Sequence, residues 1–218
     1  MKGQEQSANW RTAEQAMSDQ NASRLEIVQY GHPALRQRSA RVGRVTDEVK
    51  RLVERLAEAM RQANGLGLAA NQVGIARQVA VVEIEGKLTP LIDPEIVSAK
   101  GSEEADEGCL SLPRLYGQVA RPTEVVVRAR DLSGRRIKLT AEGLMARAVM
   151  HELDHLNGRL FIDHVDPATL HWTIRTTEEG EVVVQPTTLG EALKVFVSAR
   201  LGGHPRTPPG EGAPRGSR

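Results

Sequence analysis

The sequence predicts an α+β protein: mostly antiparallel β-sheets packed around a central helix that carries the segment HELDH, with an N-terminal helix before it and a small C-terminal extension after it. Three observations lead there. Helical apolar periodicity is strong in two places, residues 46–65 and 140–158. Between them lie several short runs rich in valine and isoleucine, separated by turn residues. No regular strand–helix–strand alternation links these runs, and a parallel sheet would need one.

The elements follow in order. Residues 1–23 are polar and aperiodic, which predicts a flexible tail. The stretch LEIVQYGHPALRQRSARVG reads as a short extended piece, a turn at Gly31-His32-Pro33 and a loop. In TDEVKRLVERLAEAMRQANG, residues Val49, Leu52, Val53, Leu56, Met60 and Ala63 share one helix face. Thr46 is placed to cap that helix, Asp47 and Glu48 suit its positive end, and Asn64-Gly65 stop it. RQVAVVEIEG reads as a buried strand, and PLIDPEIVSAKG as one or two short strands interrupted by Pro94. EVVVRARDLSGRRIKLT is a hairpin turning around Asp131–Gly134. A second helix follows, capped by Thr140 and ended by Asn157-Gly158. Residues 24–166 form the expected catalytic domain, and 167–201 an extension with a hairpin turning at Glu179-Gly180 and a short helix. Residues 202–218, rich in Gly, Pro and Arg, are expected to be disordered.

Composition narrows the function. The 218 residues carry a net charge of +1, which gives no whole-chain attraction to nucleic acid or membranes. No apolar run is long enough to span a bilayer, and the N-terminus lacks the apolar region of a secretory signal. Aromatic residues make up only 3%, so an aliphatic core is expected. The single cysteine, Cys109, rules out an intrachain disulfide and suits a reducing, cytoplasmic compartment.

The chemistry concentrates in HELDH. On a helix, positions four apart are separated by about 40° around the axis, so His151 and His155 face one way and can grip one cation. Glu152 lies beside that face and is the natural base. Asp154, on the other flank, reads as a salt-bridging carboxylate. A catalytic site of this type wants a third ligand, and four readings compete for it. The extended protease motif would place a histidine where this chain has Phe161. Asp163 and His164 follow the helix end by only a few residues. Glu178 and Glu179 sit in an expected solvated turn. Cys109 is a soft ligand, though a buried lone cysteine is more often a small core residue. The segment GLGLAA formally matches a dinucleotide fingerprint, but it follows a helix rather than a strand, so close backbone approach by a ligand is the better reading.

Three separated segments, GLGLAANQ at 65–72, EGCLS at 107–111 and HELDH at 151–155, together resemble the peptide deformylases, supported by YGHPALR and GRLFIDHVD. The likeness covers about residues 24–166. It implies a hydrolase that removes the N-formyl group from the N-terminal methionine of newly made polypeptides at the ribosome, in the cytoplasm. It further implies one divalent cation, natively Fe(II) and replaceable by Zn(II), Ni(II) or Co(II), held by Cys109, His151 and His155. Glu152 would be the general base toward a metal-bound water. The Gln72 amide and the Leu110 backbone N–H would form the oxyanion hole. Leu66, Leu144 and the stem of Glu107 match pocket positions for methionine, and the backbones of Gly65, Gly67 and Gly108 would pair with an extended substrate. Tyr116 stands where some members carry arginine, and Arg147 is expected at the surface, solvated. A zinc endopeptidase and a non-catalytic metal-binding module are the competing functions.

Overall fold

The structure is a computed structural model and describes residues 25–175 and 182–200. The expectations for the first 23 residues, the turn at Glu179-Gly180 and the C-terminal tail lie outside these residues.

Two antiparallel sheets organise the chain. The first has the order β1-β2-β3-β6-β7, built from Gly67–Ala69, Val79–Ile84, Lys87–Lys100, Glu124–Arg130 and Arg136–Glu142. The second has the order β4-β5-β8-β9, built from Glu103–Cys109, Leu112–Arg121, His171–Arg175 and Val182–Pro186. Helix α1 (Asp47–Gln62) buries Val53, Leu56 and Met60 against β1 and β2. Helix α2 (Gly143–Leu156) carries HELDH and touches strands of both sheets, β1, β2, β6 and β7 on one side and β5 on the other. Its burial on several faces explains why its polar residues, from Arg147 to His155, are enclosed. Helix α3 (Leu189–Arg200) places Ala192 and Phe196 against the second sheet.

Several local expectations change. Thr46 has the extended backbone of a helix cap, but its hydroxyl makes no capping bond. Thr140 does not cap α2; it stays in β7 opposite Val126, where the ladder satisfies its backbone, and α2 begins at Gly143. Pro94 does not interrupt its strand. β3 runs on for 14 residues, because Pro94 falls where the β3–β6 register shifts and its missing N–H breaks no ladder bond. Next to it Asp93 takes φ 48° and accepts the N–H groups of Val42 (2.7 Å) and Gly43 (3.0 Å), tying the loop before α1 to the sheet.

The core around α1 and that between α2 and the first sheet are aliphatic, as composition predicts. The second sheet departs from this, because Phe161, Trp172 and Phe196 gather in one cluster there. Trp172 and Phe196 lie 5.7 Å apart between centroids.

Gly158 ends α2 with φ +73°, and a Cβ there would lie 2.7 Å from the carbonyl oxygen of Arg36. The left-handed backbone alone costs an L-residue about 1–2 kcal/mol. Gly158→Ala is therefore expected to lose about 2 kcal/mol or more in urea denaturation; a loss below about 0.5 kcal/mol would show that the Arg36 backbone yields freely.

Candidate metal centre

Cys109 ends β4 at a break in register, where Gly108 pairs with Tyr116 but Cys109 pairs with Leu112. That irregularity turns the thiol toward α2. The Cys109 Sγ lies 3.2 Å from His155 Nε2. The ligand atoms of Cys109, His151 and His155 all fall within 4.8 Å of one another, the one such group of three among the described residues. His151 and His155 are one helical turn apart, with ring centroids 4.9 Å apart. His151 Nδ1 is 3.1 Å from Glu107 Oε2, which leaves its Nε2 for the side of Cys109. Burial holds the His155 imidazole well below its ordinary range, in the neutral form that binds a cation. Burial would also lower His151, but hydrogen bonds with Cys109 and Glu107 raise it. One thiolate and two imidazoles fit a borderline-to-soft divalent ion.

The other ligand readings part ways here. Asp163 is engaged by the Arg36 guanidinium and the Leu160 N–H. His164 Nε2 stands 3.3 Å from Asp154. Phe161 stacks against His151 at 6.5 Å. Glu178 and Glu179 lie outside the described residues.

Glu152 is 3% exposed, and its Oε2 has no hydrogen-bond partner among the described residues. Burial pushes its carboxyl up to about 7. The side chain lies over Gly67, where any Cβ would collide with it. Gln72 sits in a 3-10 turn after β1. Its Oε1 accepts the Ala69 N–H at 2.9 Å, and so its Nε2 points the other way, 3.3 Å from Ser111 Oγ and 3.6 Å from Cys109 Sγ. A cleft of about 670 Å³ opens onto these groups. Gly65, Leu66 and Gly67 line one part, Glu107 to Leu110 another, and Leu144, His151 and Glu152 the helix side. Leu66 and Leu144 are 48% and 54% exposed, an apolar pair at its edge. Gly65 fits closely against the Leu110 side chain, whose terminal methyl would have to shift to admit a Cβ at 65.

A buried charge cluster supports the site. Glu107 accepts from Arg121 Nε at 2.8 Å and Nη2 at 3.0 Å, and from Arg147 Nη1 at 2.9 Å. Arg121 Nη1 continues to Asp154 Oδ2 at 2.6 Å, the salt bridge expected of Asp154. Arg147 is not solvated as the sequence suggested. Its guanidinium also donates to the backbone carbonyls of Val119 (2.8 Å) and Glu103 (2.8 Å). Those acceptors come from strands 28 and 44 residues away, beyond any local pattern. Arg121 escaped the sequence reading, although a signal was present: Leu115, Gly117, Val119 and Arg121 alternate on the buried side of β5, which puts an arginine at an inward position.

Burial works against the Glu107 charge, but hydrogen bonds from His151 and Arg121 outweigh it and hold the carboxyl at about 2. A depressed carboxyl stabilises the fold fully above its ordinary value of 4.5 and loses that contribution as pH falls toward 2. Denaturation midpoints should therefore fall between pH 5 and pH 2, and fall less steeply in Glu107→Gln; equal slopes would refute the linkage.

The chain is similar to known proteins in sequence and in fold. The family model for polypeptide deformylase matches residues 24–171. A peptide deformylase of Thermomicrobium roseum is 43% identical over 163 residues, spanning 70% of this chain and 93% of the relative. Peptide deformylase 2 of Prochlorococcus marinus is 46% identical over 147 residues, 65% of this chain and 73% of the relative. Among solved structures, the Synechococcus elongatus peptide deformylase in complex with actinonin superposes with TM-score 0.64 at 43% identity, covering 65% of this chain and 79% of that one. The Thermotoga maritima enzyme gives 0.64 at 36% identity, over 66% and 99%.

Proposed function

The chain belongs to the polypeptide deformylase family, and from that premise we propose that it hydrolyses the formamide of nascent formyl-methionyl polypeptides with one divalent cation, natively Fe(II), held by Cys109, His151 and His155. The observation that carries this reading is the meeting of a β-strand thiol and two helix imidazoles beside a buried carboxyl group whose Oε2 has no hydrogen-bond partner among the described residues. When bound, the cation supplies a Lewis acid for the formyl carbonyl and lowers the pKa of water toward about 7.

The remaining work falls to the chain. Glu152 Oε2 takes a proton from water as the water oxygen adds to the formyl carbon, and returns it to the methionine nitrogen as the C–N bond breaks, giving formate and a free amine. Gln72 Nε2 and the Leu110 N–H stabilise negative charge on the formyl oxygen. Glu107 holds His151 by its second ring nitrogen and so fixes the ring's direction. Leu66, Leu144 and the stem of Glu107 enclose the methionine side chain, while the backbone at Gly65, Gly67 and Gly108 receives the extended peptide. Residues 24–166 form the catalytic unit, working on new chains at the ribosome in the cytoplasm. No described helix is long and apolar enough to cross a membrane. An endopeptidase would require a ligand downstream of His155, and the described candidates, Asp163 and His164, are engaged elsewhere.

Protein loaded with iron under anaerobic conditions is expected to release formate from formyl-Met-Ala-Ser. No release above background would overturn the reading. X-ray absorption at the metal edge should report one sulfur and two nitrogen ligands from the protein.

A further inference from the structure

A second cavity, of about 400 Å³, shares no lining residue with the cleft at the metal centre. Four arginines line it. Arg44 comes from the loop before α1, Arg51 and Arg55 from α1, and Arg77 from the segment leading into β2, while Glu48 is the one carboxylate of the lining. Their backbones are fixed. Arg51 and Arg55 lie four apart on α1, about 40° around the axis, so they share a face. Asp93 ties the loop before Arg44 to the first sheet through the N–H groups of Val42 and Gly43. Arg77 bridges to Ala40.

Positive charge is left over in this lining. Arg61, also on α1, is answered by Glu83 through two hydrogen bonds of 2.8 Å. Among the described residues, the side chains of Arg44, Arg51 and Arg77 make no hydrogen bond or salt bridge. Carboxylates on the adjoining elements are already engaged: Asp47, which also senses the Arg51 charge, by Lys50, Glu95 by Arg41, and Asp93 by the loop and Arg130. Four guanidiniums against one carboxylate leave an excess of three charges, which repel one another unless an anion joins them. Below them the floor is aliphatic, with Val49, Leu52 and Ile75 half-buried.

We infer that this cavity is a second ligand site, for a nucleoside di- or triphosphate, with the phosphates among the guanidiniums and the base on the aliphatic floor. The forked donors of arginine match phosphate oxygens in pairs, and a guanidinium plane also accepts a stacked base. An acyl chain would suit the floor but not the charge, and inorganic polyphosphate the charge but not the floor. The volume is that of a small-molecule site. This inference stands apart from the deformylase reading.

The test is calorimetric titration of the metal-loaded full chain with ATP, GTP, inorganic triphosphate, adenosine and a short single-stranded RNA. A nucleotide should bind about fivefold or more tightly than triphosphate, the worth of one stacked base, and adenosine should not saturate. Arg51→Ala and Arg77→Ala should each weaken nucleotide binding about tenfold, the worth of one charge-assisted hydrogen bond. Arg51→Lys should weaken it less, because the charge stays and only the fork is lost. Arg128→Ala, at an exposed arginine of β6 outside the cavity, should change nothing. Saturating nucleotide should raise the thermal midpoint and leave KM for formyl-Met-Ala-Ser unchanged. No binding, or equal binding by the parent, Arg51→Ala and Arg77→Ala, overturns the inference. Triphosphate bound as tightly as the nucleotides overturns the nucleoside part. RNA bound more tightly than either nucleotide, and lost in the same variants, overturns it in favour of a nucleic-acid surface. A KM that rises with nucleotide moves the binding to the metal centre and overturns it too. Absence of formate release counts against the deformylase reading alone.

Discussion

Glu152→Gln is expected to lower kcat for formyl-Met-Ala-Ser by about 10²- to 10⁴-fold, the usual worth of general acid–base catalysis, with bound iron retained. Glutamine keeps the shape that fills the space over Gly67 but can neither take a proton from water nor return one to the leaving nitrogen. The fold should not suffer, because among the described residues Oε2 makes no hydrogen bond that glutamine would lose. Burying an ionisable carboxyl carries a cost, so the variant should be as stable as the parent or slightly more so. Activity and stability thus move in different directions, which separates catalysis from damage. Metal content measured on the same sample completes the comparison. A variant that keeps its metal and more than about a tenth of the parent kcat would remove Glu152 from the base role.

Arg121→Ala is expected to destabilise the protein by about 3–5 kcal/mol, the cost of stripping one partner from a buried ion cluster. Its side chain is 5% exposed and bridges two carboxylates with 4% and 8% exposure, Glu107 and Asp154. Removal leaves Asp154 with the more distant Arg159 and His164, and Glu107 with Arg147 and His151. At about 2–4 °C per kcal/mol for a chain of this size, thermal midpoints should fall by roughly 6–20 °C. Since Glu107 aims His151, metal affinity should also weaken by about 10- to 100-fold, read by competition with a chelator. A loss under about 1 kcal/mol with unchanged affinity would mean that Arg147 alone can hold Glu107 in place.

These two predictions draw on different kinds of information. Glu152 was legible in the linear sequence, because HELDH puts two histidines and a carboxylate within one turn of one helix, and helix geometry is local. The α+β class, both long helices and the two hairpin partnerships, β6 with β7 and β8 with β9, were legible for the same reason: each depends on periodicity and turn residues within about twenty positions. The continuity of β3 through Pro94 was not, because only its partner strand shows that the proline meets a bulge.

By itself, the sequence determined the family through three spaced segments, the fold class, and which side chains were candidates for metal and proton chemistry. The tertiary structure decided which of them meet. It brought Cys109 to the histidine pair and kept Asp163 and His164 away. It drew Arg147 inward to carbonyls of β4 and β5, and made Arg121 the bridge between Glu107 and Asp154. It also stacked His171 of the extension beneath Tyr116. The division has one physical cause. A helix or hairpin records its own contacts in its spacing, whereas a buried charge is stable only beside partners from distant strands, and that proximity exists only once the sheets have packed against α2.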